Sequence, residues 1–207
     1  MPPGKAVGPA APRQRRVDAR RNHGVILEAA RKVFAERGLA VPIDEVARQA
    51  GVGAGTIYRH FPSKEALYEA VLVEDFEAVV ARAKALASRP SGSSVAVFDF
   101  LAEMAEVGRA KLELAEALAG AGIDVKSTLA PQLGELRTAL SELLRRAQQQ
   151  GAARPDVDVD VLMALVSSCC QVANSLGWNK AGGGRLAKLL GTVFDGVRLV
   201  SPGPAGT

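Results

Sequence analysis

Apolar residues recur at helical spacing along most of the chain, and glycine or proline marks where each run stops. Ile26, Ala30, Val33 and Phe34 share one face of a helix starting at Asn22. Gly38 supplies its C-terminal cap, with Leu39 placed to fold back on Phe34. Next, Ile43, Val46, Ala47 and Ala50 fall at i, i+3, i+4 and i+7, one apolar stripe on a helix of roughly two turns. Gly51 ends that helix, Gly53 opens another over Ala54 to His60, and Pro62 stops it. Ser63 to about Leu86 reads as one long helix, on the order of 35 Å at 1.5 Å per residue, with Leu67, Ala70, Val71, Phe76, Val79, Val80 and Ala83 on its apolar side. Ser88 to Ser94, SRPSGSS, is a loop by composition. Beyond it Val95 to about Ala119, Leu129 to Gln150, Asp158 to about Leu176 and Gly184 to Val200 all have helical period, with Gly108 a candidate break in the first. Nothing alternates as a strand, so the predicted fold class is all-α. A three-helix helix-turn-helix domain occupies residues 22–65 and a larger helical domain 66–200. The flanks, 1–21 and 201–207, hold too few bulky apolar groups to order themselves.

The short helix from Ala54 to His60 carries the chemistry. Each residue advances about 100° around the axis. If Ile57 faces the core, Phe61 joins it, Gly55 and Arg59 turn outward, and Thr56 and Tyr58 take the flanks. A helix in a DNA major groove needs this layout: an outward edge for bases, with hydroxyls on either side for phosphates. Arg59 can donate two hydrogen bonds to guanine O6 and N7, and Gly55 lets the backbone approach base edges. Ser63 can cap the next helix, whose first turn, at Lys64, offers an anion site.

Charge sharpens this picture. The net charge of +4 hides an asymmetry: residues 1–64 hold twelve Lys or Arg against five Asp or Glu, and residues 65–207 hold fourteen against seventeen. Positive charge beside a helix-turn-helix is the electrostatic footprint of nucleic-acid binding. In the N-terminal arm, Arg13, Arg15, Arg16, Arg20 and Arg21 could reach an adjacent minor groove, or the arm could be a solvated extension.

Other chemistries find little support. The two cysteines, Cys169 and Cys170, are adjacent in an apolar run, with neither a disulfide framework nor metal spacing. The alternatives for them are buried packing or redox sensing. Asp156, Asp158 and Asp160 resemble the opening of a calcium loop, but Val161 stands where its glycine belongs and Ser167 where its glutamate belongs. We expect an acidic helix N-terminus there instead. The only histidines, His23 and His60, lie in the DNA-binding part, which leaves no base for triad chemistry in the larger domain. No cofactor, metal or catalytic residue is expected. No apolar run approaches the roughly 20 residues that a membrane-spanning helix requires, and the N-terminus lacks a signal peptide's apolar stretch, so the expected location is the cytoplasm.

The run GVGAGTIYRHFPSKEAL, preceded by ILEAARKVFAERGL, resembles the DNA-binding domain of TetR-type transcriptional repressors. The likeness covers Asn22 to about Val71. It implies that Thr56, Tyr58, His60 and Lys64 contact phosphates while Ala54, Gly55 and Arg59 face bases. Two departures stand out: Ala54 and Gly55 carry little to read with, and Pro42 stands where such proteins often have a Ser or Thr cap. The resemblance further implies a homodimer on double-stranded operator DNA, released when a small molecule occupies the helical domain. That domain offers Phe98, Leu101, Met104, Met163, Trp178 and Phe194 as wall candidates for a pocket, with Ser167, Gln171 and Asn174 as polar groups among apolar neighbours. The same polar groups also suit interhelical hydrogen bonds or a dimer face. The last two helices are apolar around much of their girth, and Leu189 and Val193 are the expected dimer contacts. The function read from the sequence is a one-component, ligand-responsive regulator, a repressor of a palindromic operator. The reading from another class is a helical carrier or sensor of apolar molecules that does not act through DNA.

Overall fold

The computed structural model describes the backbone of residues 12–38, 40–89, 93–178 and 184–199, and their side chains except at 12–20, 106–114 and 117. The described residues form the helices α1 (Pro12–Arg37), α2 (Ile43–Ala50), α3 (Ala54–His60), α4 (Lys64–Ala87), α5 (Ala96–Gly120), α6 (Val125–Thr128), α7 (Ala130–Gln149), α8 (Val159–Ser175) and α9 (Arg185–Val197). The fold is all-α, and among the described residues the β pairing is limited to an isolated bridge between Ala153 and Arg198. Residues 1–11, Leu39, Gly182, Gly183, Val200 and the tail at 201–207, on which some expectations fell, lie outside the described residues. The chain divides into two compact units, Met1–Val71 and Leu72–Thr207, with the division inside α4 instead of at 65/66.

In the first unit, α2 packs on α1 and α3 packs on α2. Ile26, Ala30, Val46, Ile57 and Leu67 are all at 0% exposure in its interior. Phe34 meets Tyr68 edge to face, with centroids 4.6 Å apart. Gly38 (φ 76°) closes α1, donating its N–H to the Phe34 carbonyl at 2.9 Å. Helix α1 starts ten residues before Asn22, so residues 12–21 are its opening turns and not part of a disordered arm. The reason lies in the residues: Pro12 suits a first helical position, Arg, Gln and Ala favour helix, and extending a helix costs far less than nucleating one.

In the second unit α5, α7, α8 and α9 pack pairwise around one apolar cluster, to which α4 contributes Val80 and Ala83. Helix α5 passes through Gly108 unbroken. A helix-interior glycine costs about 1 kcal/mol, which the burial of Phe98, Leu101 and Leu118 on the same helix outweighs. Helix α6, too short for a periodic signal, is fixed by Asp124, whose carboxylate accepts from the Ser127 N–H at 3.1 Å. The three aspartates before and in α8 each have a partner. Asp158 caps the helix by accepting from Val161 N–H at 2.8 Å, Asp160 accepts from Nε and Nη2 of Arg137 at 2.6 Å each, and Asp156 accepts from Arg154. Those guanidinium bonds hold the Asp156 and Asp160 carboxyls below the usual carboxylate range.

Gly51 is the position where backbone geometry demands glycine most clearly. Its φ is 68°; its N–H meets the Arg48 carbonyl at 3.3 Å while the Val52 N–H meets that of Ala47 at 3.0 Å. This double closure needs a left-handed residue. We expect Gly51→Ala to cost about 1–2 kcal/mol in chemical denaturation. Gly24→Ala, in helical backbone with open space around its Cβ position, should instead add about 0.5–1 kcal/mol. Equal effects at the two positions would contradict this account.

Candidate nucleic-acid interface

The turn at Gly51 fixes how α3 leaves α2. Gly53, at φ −74° and ψ 148°, starts α3 from extended backbone, and the Thr56 N–H returns to its carbonyl at 2.8 Å. Ile57 is then at 0% exposure while Gly55, Tyr58 and Arg59 are exposed and Ala54, Thr56 and His60 are half-buried. Arg59 has no hydrogen-bond or ion-pair partner among the described residues. A Cβ at Gly55 would meet nothing within 4 Å, so packing within the chain does not require glycine there.

Beside α3, an ion pair joins α1 and α2. Glu45 of α2 accepts from Arg37 at the end of α1 and from Arg48 Nε at 3.1 Å, and these arginines, Arg48 first, hold its carboxyl below the usual range. Pro42 sits at the N-cap of α2, one residue earlier than a first helical position, and makes no side-chain cap. Its ring fixes φ at −63°.

At the start of α4, Ser63 caps the helix as its position in the sequence leads one to expect. Ser63 Oγ accepts the Ala66 N–H at 3.1 Å, and the Glu65 carboxylate is held low by its own backbone N–H and by the Ser63 hydroxyl. Two of the free amides that a phosphate would use are thus taken within the chain. What remains is the Lys64 ammonium, 5.5 Å above the Tyr68 ring. Burial and then Glu65 push the Tyr68 hydroxyl up to about 12, so it stays neutral beneath that cation.

Among the described residues, those named for a ligand divide between the apolar cluster and the outer side of α8. Phe98 and Leu101 are at 0% exposure in the apolar cluster, and Met104, Met163 and Trp178 are half-buried against it. Ser167 and Gln171 point to the exposed side of α8, whereas Asn174 donates to Glu116 of α5 at 2.7 Å. An open groove of ≈ 310 Å³ lies between α7 and the turn before α8, lined by Ser141, Leu144, Gln148, Pro155, Asp156, Val157, Asp158 and Val159. It shares no residue with that set.

Two further features were not read in the sequence. Val161, Leu165, Val172 and Leu176 form an exposed apolar stripe on and just past α8. The C-terminal end of α4 is tied down by Arg146 of α7, which donates to the Ala87 and Arg89 carbonyls at 2.7 Å each. Lys84 pairs with Glu135 at 2.7 Å, and Arg82 pairs with Glu103. The stripe was legible as i, i+4, i+11, i+15; the Arg146 tie, across 59 residues, was not.

Comparison with known proteins gives concordant results. Residues 26–71 match the bacterial regulatory proteins of the tetR family, and residues 93–199 match the C-terminal domain of SbtR-like transcriptional regulators. The HTH-type transcriptional repressor Rv1474c of Mycobacterium tuberculosis is 33% identical over 179 residues, 84% of this chain and 91% of that protein. The HTH-type transcriptional repressor KstR2 of Mycolicibacterium smegmatis is 28% identical over 180 residues, 84% of this chain and 87% of that protein. A TetR transcription regulatory protein from Mycobacterium vanbaalenii superposes with a TM-score of 0.69 at 38% identity, over 89% of this chain and 99% of that one.

Proposed function

The chain belongs to the TetR family of DNA-binding transcriptional regulators, and from that premise we propose that it is a repressor that binds an inverted-repeat operator as a homodimer and leaves it when a small molecule enters the second unit. The observation that carries the DNA half is the outward edge of α3: Arg59 exposed and unpartnered, opposite a fully buried Ile57. On this reading Arg59 addresses guanine, and Ala54 and Gly55 let the backbone come close. Thr56, Tyr58, His60 and Lys64 hold phosphates on the flanks.

Two features support dimerisation and control. The α8 stripe gives a second copy an apolar surface to cover, and two-fold symmetry then presents two equal recognition helices to two half-sites. Helix α4 carries Lys64 at its start, and its end is held by Arg146, Glu135 and Glu103 from α7 and α5. A ligand that shifts α5 or α7 therefore acts on the residues that grip α4. Coupling of this kind is typically about 1–3 kcal/mol, a 5- to 150-fold change in affinity.

The test is a salt-dependent gel shift on the DNA upstream of the chain's own coding region. Arg59→Ala should cost about 1–3 kcal/mol there and relax the preference over random DNA, whereas Lys64→Ala should weaken binding to all sequences and lower the salt slope by about one unit. Undiminished discrimination in the Arg59→Ala chain would remove that residue from the base-reading role. Absence of any DNA shift by the unmodified chain would favour an apolar carrier acting elsewhere.

A further inference from the structure

We infer that His23 of α1 and His60 of α3 form a two-imidazole phosphate clamp, so that DNA binding takes up protons; this rests on the DNA-binding reading above. The chain has two histidines in 207 residues, and the fold brings both to one edge of the first unit. The His23 ring stacks on Phe61, with centroids 4.8 Å apart and planes at 29°, and stands edge-on to His60 at 5.9 Å and 61°. His23 is exposed and His60 half-buried. Neither has a hydrogen-bond or ion-pair partner among the described residues.

Stacking on an apolar ring orients His23 without using its nitrogens. Each ring N–H reaches an oxygen at about 2.9 Å, so two rings this close can bracket the oxygens of one backbone phosphate. His60 ends the helix that addresses the DNA, and His23 adds a donor from α1 that the recognition-helix pattern does not contain. Histidine changes charge between about pH 5 and 8. Two imidazolium rings side by side repel each other, and a phosphate between them turns that cost into attraction.

The sign follows. The complex favours the charged rings over the free protein, so the added affinity is present at low pH and is lost as pH rises through the titration of the complex. Among the described residues, the charged groups on the surrounding elements do not reverse it. Arg21 of α1, Arg59 of α3 and Lys64 of α4 are cationic. On α2, Glu45 is bound to Arg37 and Arg48, and Asp44 is exposed; on α4, Glu65 is bound to its own amide and to Ser63.

Phosphates carry no sequence information, so the probe is a mixed-sequence DNA duplex at low, constant salt, titrated with the full chain by fluorescence anisotropy from about pH 5.5 to 8. The unmodified chain should lose affinity with rising pH, with a slope of about one to two protons per subunit. His23→Phe keeps the ring stacked on Phe61 and should lose about one proton of that slope, with a several-fold weaker complex at the acid end and near-equal affinity at the alkaline end. His23→Gln should likewise flatten the slope while retaining a donor. If His23→Phe kept the full slope, even with weaker binding, His23 would be a packing residue and the clamp would be overturned. Binding by the unmodified chain with no pH slope would overturn the clamp and leave the DNA-binding reading standing. Absence of salt-dependent binding at every pH would overturn both.

Discussion

A chain carrying Val172→Asp is expected to sediment as a monomer and to bind operator about 10²–10⁴-fold more weakly, the factor that joining two binding modules adds. The stripe it would interrupt is long and bare. Val161 and Val172 are each 46% exposed, Leu165 36% and Leu176 56%. They recur along one line of α8 for on the order of 22 Å at 1.5 Å per residue. Ala164 and Ser168, also exposed, lie beside them and are small enough for a second helix to come close. A carboxylate placed between two such faces would be desolvated without a partner, which costs several kcal/mol, far more than it costs on a free surface.

Leu189 and Val193, the positions the sequence pattern favours, make poorer probes. Both are half-buried against the apolar cluster of their own chain, so a charge there would weaken the fold as well as any dimer. Sedimentation velocity paired with a thermal melt separates the two effects. An undiminished dimer in the Val172→Asp chain would move the interface off α8.

What could be read in the residues was largely local. The order Ile43, Val46, Ala47, then Gly51, then an outward Arg59 opposite Ile57, needs only helical spacing and one left-handed glycine, and the fold reproduces it. Composition misled where it stood in for cooperativity. The arginine-rich stretch before Asn22 looks too polar to order itself, but it does not have to, because α1 continues into it. Gly108 looks like a break only if the packing on either side of it is ignored. The second occupied amide at the start of α4 depends on where the Glu65 side chain turns, which no spacing rule supplies. Polar residues in α8 point to a pocket or to an interface with equal force. Their actual directions, Ser167 and Gln171 outward and Asn174 toward Glu116, come only from the way α8 rolls against α5.

The same roll bears on Phe98, where the second large effect is expected. Phe98→Ala should cost about 3–5 kcal/mol and lower the melting temperature by on the order of 10 °C. Phe98 is at 0% exposure, 5.3 Å from the Phe194 ring of α9, with the Arg198 guanidinium 5.0 Å above its own face. Arg198 in turn closes the bridge to Ala153, beside an Arg154 N–H that donates to the Val197 carbonyl at 2.9 Å. Truncating the ring would therefore leave a cavity between α5 and α9 and remove the surface under Arg198 at once. A pocket wall behaves differently. A ring bordering a space kept open for a ligand has fewer packing neighbours to lose, and its truncation would leave stability within about 1 kcal/mol while altering effector affinity. The melt therefore decides between core and wall before any effector is known. The half-buried Met104 and Met163 are the contrasting positions, because truncating a partly exposed side chain removes less buried packing than truncating one at 0% exposure. If Phe98→Ala melted with the unmodified chain while Met163→Ala did not, the cavity would lie beside α5, and Phe98 would be one of its walls.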